Sequence, residues 1–219
     1  MGASPLPAGG GSPAQDESLL MNPTRLRIFQ SLYNSPCRHV RSLSRAVGVA
    51  PPSVLWHLDK LEEKGMVRSV AAGRRRVFYP ADMLEPEDVA LLSFIGPEKR
   101  AAVVRAATEL PGVPQKELLR RSGANGHTLS DLVAARVLDV IKDGRHRRYY
   151  PSSLLIHRRE EAERRGRRLR QSLLTMLARQ GLQPEARDTG RGVLEVKVRL
   201  GTTGETLRFC RNPYLFAPC

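Results

Sequence analysis

Two arginine-dense runs are the residues best suited to chemistry in this chain. They are Arg74-Arg75-Arg76 after Gly73 and Arg145-His146-Arg147-Arg148 after Gly144. Long basic side chains at a turn reach phosphate oxygens or slip into a minor groove. The whole composition points the same way, with 36 Lys plus Arg against 22 Asp plus Glu, a formal charge of +14 and a pI near 10.6. Such a balance attracts polyanions: DNA, RNA or an anionic membrane surface. Motifs for catalysis are missing from the sequence. It contains no glycine-rich phosphate loop, no H-E-x-x-H, no G-x-S-x-G and no C-x-x-C, and its five histidines are scattered singly. Neither an enzyme nor a bound cofactor or metal is expected. Cys37, Cys210 and Cys219 match no structural zinc spacing, and Cys37 with His39 reads as a loop rather than half a metal site. The expected compartment is reducing and intracellular, the cytoplasm. No apolar run reaches the roughly 18 residues that would span a bilayer, and Met1–Ser18 lacks the pattern of a secretory signal.

The elements that position these residues come from punctuation and periodicity. Residues 1–18, mostly Gly, Pro, Ala and Ser, read as a disordered tail. Beyond it the chain repeats itself. RSLSRAVG at Arg41–Gly48 aligns with KELLRRSG at Lys116–Gly123, and GRRRVFYP at Gly73–Pro80 aligns with GRHRRYYP at Gly144–Pro151. Two matched pairs in the same order indicate duplication. In the first copy, Asn22-Pro23 opens a helix with Leu26, Phe29, Leu32 and Tyr33 on one face. A second short helix carries Val40, Leu43, Ala46 and Val47 and closes at Gly48. Pro51-Pro52-Ser53 starts a third, which ends at Gly65. Met66–Val70 and Arg76–Tyr79 then form two strands around residues 71–75. Three helices, a tight turn between the last two, and a two-stranded ribbon make a winged helix-turn-helix.

Within that plan, the run V-L-W-H-L-D-K-L-E-E-K-G-M-V from Val54 to Val67 resembles the V-x-x-H-L-x-x-L-x-x-x-G-[LM]-V signature of ArsR-type and related archaeal winged-helix transcription regulators. The resemblance covers residues 22–80 well and 97–151 more loosely. It implies DNA binding, and says nothing of which genes are regulated. The cysteine-rich metal motif of many ArsR-type repressors is missing, so metal sensing does not carry over.

Helical geometry assigns roles in the third helix. At about 100° per residue, Val54, Leu58 and Leu61 face the core. Pro52, Trp56, Asp59 and Glu63 lie opposite, flanked by Ser53, Leu55 and Lys60. The early part of such a helix enters the major groove, so Ser53, Trp56 and Lys60 are the candidates for base contact. Trp56 alternatively packs on the first helix or the wing. Asp59 and Glu63 would repel phosphate, and His57 is a partly buried structural residue. Arg74, Arg75 and Arg76 form the wing tip, and Arg41 and Arg45 add phosphate contacts. In the second copy, Leu129, Leu132, Val133 and Arg136 point inward and leave a donor-poor surface of His127, Asp131 and Ala134. Arg136 stands where a glycine is expected. Arg145, Arg147 and Arg148 keep that wing basic, so the second unit either grips backbone or has become a packing and dimer module.

The fold expected is α+β and mainly helical. Residues 1–18 are a tail, 19–82 the first winged helix-turn-helix, 83–96 a linker whose apolar run Pro86–Ile95 is a short helix, 97–151 the second unit, and 152–219 a long helix plus a β-hairpin. The long helix is placed at Arg158–Gln180, with i,i+4 pairs Glu160–Arg164, Glu161–Arg165 and Glu163–Arg167. The last segment caps the second unit, dimerises or senses a ligand. The function expected is that of a cytoplasmic, sequence-specific regulator that binds double-stranded DNA as a homodimer. The alternative is a tandem winged-helix scaffold or machinery subunit acting through protein contacts.

Overall fold

The computed structural model describes residues 18–215 apart from 97 and 191. Most of the expected tail therefore lies outside the described residues. Helix α1 (Pro23–Asn34) starts where Asn22 Oδ1 accepts from the Arg25 N–H at 3.1 Å, with proline at a position whose own N–H would lack a partner. It is followed by α2 (Val40–Val47) and α3 (Pro51–Glu63). Gly48, left-handed at φ 70°, makes the turn between them. Strands β1 (Val67–Ala72) and β2 (Arg75–Pro80) pair antiparallel, with Ala72 opposite Arg75. The connection is thus the two residues Gly73-Arg74, shorter than the five-residue loop expected. A left-handed glycine in a two-residue turn matches the twist of the strands, and Gly73 has φ 61°. The first core closes around Leu26, Phe29, Leu32, Leu43, Val54, Leu58, Leu61 and Phe78, all at most 1% exposed.

The linker helix α4 occupies Pro86–Ile95, the range expected. The same order of elements then recurs. Helix α5 (Glu98–Glu109), the short strand β3 (Val113–Pro114), α6 (Gln115–Ser122) and α7 (Gly126–Ala134) precede β4 (Leu138–Asp143) and β5 (His146–Pro151). The sheet order is β3-β5-β4. In the first copy the counterpart of β3 is a single bridge, Arg38 to Phe78. Arg136 does not face inward. It lies beyond the end of α7, exposed and left-handed at φ 55°, where Gly65 has φ 67° in the first copy. It takes the conformation of the glycine it replaces, and its side chain goes to solvent.

Helix α8 spans Ser153–Arg179, five residues longer at its start than expected, because Ser152 Oγ accepts from the Leu155 N–H and begins the helix there. Three members of the expected i,i+4 pairs take other partners. Glu161 takes Arg158 at 3.3 Å and His157 at 3.4 Å, Glu163 accepts from Asn212, and Arg165 reaches Asp88 on α4. Asp88 is fully buried; it also accepts from Tyr214 Oη at 2.6 Å and from the Glu85 N–H at 3.1 Å. A buried carboxylate needs this many partners. It ties α4, α8 and the 3-10 turn Pro213–Leu215 together.

The last segment is a three-stranded meander. Strands β6 (Glu185–Asp188), β7 (Val193–Leu200) and β8 (Thr203–Cys210) lie in chain order. Its apolar face packs on α1 of the first unit, against the one of its three expected roles in which it caps the second. Phe209 meets Tyr33 edge-on at 5.5 Å, the Cys210 N–H donates to Asn34 Oδ1 at 3.0 Å, and Gln30 Nε2 donates to the Arg208 carbonyl at 3.2 Å. Among the described residues no helix is long and apolar enough to cross a membrane.

Candidate nucleic-acid interface

The face of α3 divides as its periodicity requires. Val54, Leu58 and Leu61 are completely buried, while Ser53, Leu55 and Trp56 are exposed. Trp56 keeps 54% of its surface in solvent. It also packs: the Arg25 guanidinium of α1 lies 5.9 Å from its ring centroid, and the His57 ring 4.9 Å away. Arg25 is itself held by a 2.7 Å bond from Nε to the Leu19 carbonyl. Trp56 is therefore braced by the first helix, as the packing reading expects, and more than half of its surface stays in solvent. His57 is buried, and burial, then the charge of Arg25, lowers its pKa.

Electrostatically the unit sorts itself into two edges. The acids collect on the C-terminal half of α3, and two of the candidate cations turn toward them. Arg76 binds Glu62, lies 3.7 Å from Asp59, donates to Ser69 Oγ at 2.7 Å and covers the Phe78 ring at 4.9 Å. Four partners fix it as a strut between α3 and the hairpin, not a free finger at the tip. Lys60 meets Glu63 at 2.8 Å; an exposed pair of this kind is worth under about 1 kcal/mol, little enough for a phosphate to compete. The other edge keeps its positive charge. Arg41, Arg45, Arg74 and Arg75 are all exposed, and only Arg74 of the three wing arginines sits in the turn, Arg75 and Arg76 belonging to β2.

His39, taken from sequence as part of a loop, lies at the centre of this edge. It caps α2 by accepting the Ser42 N–H on Nδ1 at 3.1 Å, and its Nε2 is 3.2 Å from Arg75 Nη1. Burial and the charges of Arg75, Arg45 and Arg41 push its pKa down. The signal available in the sequence was a polar residue immediately before V-R-S-L, although histidine is not among the favoured N-caps.

The second copy is poorer. Asp131 of α7 is taken by Arg100 at 2.9 Å, and Arg148 by Asp143 at 2.6 Å and the Gly112 carbonyl at 3.2 Å. Arg145 and Arg147 remain exposed, as do Val140 and Ile141 on β4. Among the described residues no group of three or more His, Cys, Asp or Glu is placed to hold a metal ion.

Comparison with known proteins bears on this first unit. Residues 21–68 match the family described as winged helix-turn-helix DNA-binding, a span covering α1, α2, α3 and the start of β1. A relative from Methanocaldococcus jannaschii, an uncharacterized HTH-type transcriptional regulator, is 35% identical over 77 residues. The match takes in 35% of this chain and 19% of the relative. Among solved structures, a conserved hypothetical protein from Chlorobium tepidum aligns with 65% of this chain and 96% of its own at 19% identity and a TM-score of 0.23. That likeness is too weak to indicate a shared fold.

Proposed function

With a winged helix-turn-helix DNA-binding domain at residues 21–68, we propose that the protein is a transcription regulator that recognises a specific sequence in double-stranded DNA. The N-terminal half of α3 enters the major groove, with Ser53 and the exposed surface of Trp56 against the bases. Arg41, Arg45, Arg74 and Arg75 hold the backbone. The observation that carries this reading is the separation of charge on the first unit: the acids of α3 are met by Lys60 and Arg76, while Arg41, Arg45, Arg74 and Arg75 stay exposed, three of them around His39, and Trp56 is exposed on α3. On this reading the protein is a cytoplasmic member of the ArsR-like group and binds as a homodimer. The second copy is a further winged helix that has lost base recognition.

The test is a titration against a duplex from the protein's own promoter region and a scrambled duplex, over a salt series. A preference of about 10³ or more supports a regulator. Replacing Arg41, Arg45 and Arg74 by Ala together is expected to weaken both duplexes alike and to flatten the salt slope by about 0.9 per lost phosphate contact. Trp56→Ala is expected to erode the preference itself. Equal binding of both duplexes by the wild type would leave only non-specific DNA binding.

A second reading has its own observation. Val140, Ile141, Leu154 and Ile156, at the wing of the second copy and the start of α8, are 40% exposed or more, which favours a protein contact for that part of the molecule. Sedimentation of the wild type and of Ile141→Asp tests whether that contact is self-association.

A further inference from the structure

At the His39–Arg75 pair two hydrogen-bond donors face each other. Arg38 and Phe78 exchange two backbone hydrogen bonds, at 3.2 and 2.9 Å, so the segment entering α2 is fixed against β2. His39 follows directly. Its Nδ1 accepts from the Ser42 N–H, and Nε2 lies 3.2 Å from Arg75 Nη1. A neutral imidazole offers one acceptor and one donor. With Nδ1 accepting, the proton is on Nε2, and that N–H faces a guanidinium that has only donors. Two donors from two elements therefore converge where an acceptor belongs. The charged groups facing the ring are Arg75 from β2 and Arg45 and Arg41 from α2, all cations. Burial first, and then these charges, lower the pKa of the ring, and the cations make an anion the preferred acceptor.

We propose that His39 and Arg75 together clamp one oxygen of a DNA backbone phosphate, His39 through its Nε2–H and Arg75 through its guanidinium. The inference rests on the reading of the first unit as a duplex-DNA binder and adds a residue to it. The backbone bridge makes the clamp preorganised, so little ordering entropy is lost when the phosphate arrives. His39 contributes direction and no charge; Arg75 contributes both.

That difference supplies the test. His39→Asn keeps a good N-cap for α2 while removing the distal donor, and thermal melting checks that the variant is folded. Wild type, His39→Asn, Arg75→Ala and the double variant are titrated against one duplex over a range of KCl concentrations. His39→Asn is expected to weaken binding about fivefold, the scale of one lost hydrogen bond, with the slope of log K against log[salt] unchanged. Arg75→Ala is expected to weaken binding and lower the slope by about 0.9. The double variant should lose less than the product of the two, because both donors hold the same oxygen. In the wild type, ¹⁵N shifts should place the His39 proton on Nε2, and that proton should be protected from exchange on adding duplex. Full affinity in His39→Asn, independent effects in the double variant, or equal protection by inorganic phosphate would each overturn the clamp. A wild type that binds no DNA would overturn the regulator reading as well, whereas binding that is indifferent to His39 would overturn the clamp alone.

Discussion

Arg136 is the residue at which the two copies meet the same backbone demand with different side chains. At φ 55° it holds a left-handed conformation that Gly65 takes without cost in the first copy, and a side chain there is strained. Arg136→Gly is expected to stabilise the protein by about 1 kcal/mol, read as a rise in the urea midpoint with no change in slope. The missing glycine was visible in the sequence; the outward direction of the arginine was not, because helical periodicity was carried past the end of its helix. Residue roles inside α3 were legible for the core positions, which depend only on the 100° repeat. The fate of Arg76 was not, because its partners Glu62 and Asp59 lie on another element. Cys37 shows a third kind of residue effect. Buried, with its thiol 3.7 Å from the Val89 carbonyl, it has its pKa pushed up to about 12 from an ordinary value near 9. The folded state thus holds this proton more tightly than the unfolded chain. Its contribution to stability is full below about pH 9 and is lost as pH rises toward 12. At mildly alkaline pH, Cys37 should resist a thiol reagent in the native protein and react once unfolded, with mass spectrometry reading the labelled site.

Among elements, those bounded by strong punctuation were read correctly. Helix α4 is framed by Pro86 and Gly96, with acids in its first turn, and its range matched. Strand β6, Glu-Ala-Arg-Asp, carries no alternation of apolar residues; it exists because β7 offers it a hydrogen-bonding edge, a fact about the fold and not about the segment. Two helical glycines separate local propensity from packing. A Cβ on Gly166 of α8 would lie 2.8 Å from the Arg211 carbonyl oxygen, so the helix approaches the C-terminal segment through a gap that only glycine leaves. Gly166→Ala should cost about 2 kcal/mol despite alanine's better helix propensity. Gly126, the first residue of α7, has nothing within 4 Å of a built Cβ. Gly126→Ala should be neutral or stabilising by up to about 1 kcal/mol. Thermal melting of the two variants side by side checks both; similar shifts would show that α8 does not depend on the close approach.

At the scale of the whole molecule, α1 is shared between two ends of the chain. One side builds the core of the first unit, and the other receives β8 through Tyr33, Asn34 and Gln30. Asp82 adds a tie, accepting from Tyr33 Oη at 2.8 Å and from Ser172 Oγ of α8 at 3.0 Å. The recurring order of helices and hairpin was legible in the sequence because it leaves two aligned motifs. This closure was not, since contacts between positions 176 residues apart leave no periodic trace. Phe209→Ala should cost about 3–5 kcal/mol and raise amide hydrogen exchange in α1 as well as in β7 and β8. If exchange rose only in the sheet, the terminal segment would be an independent module. The same closure sets a timetable during translation. Tyr33 leaves the ribosome long before Phe209, and at roughly 5–20 residues per second the interval is about 9–35 seconds. Through that interval the nascent first unit displays one side of its opening helix uncovered, so the winged helix-turn-helix waits for a strand made much later to complete its surroundings.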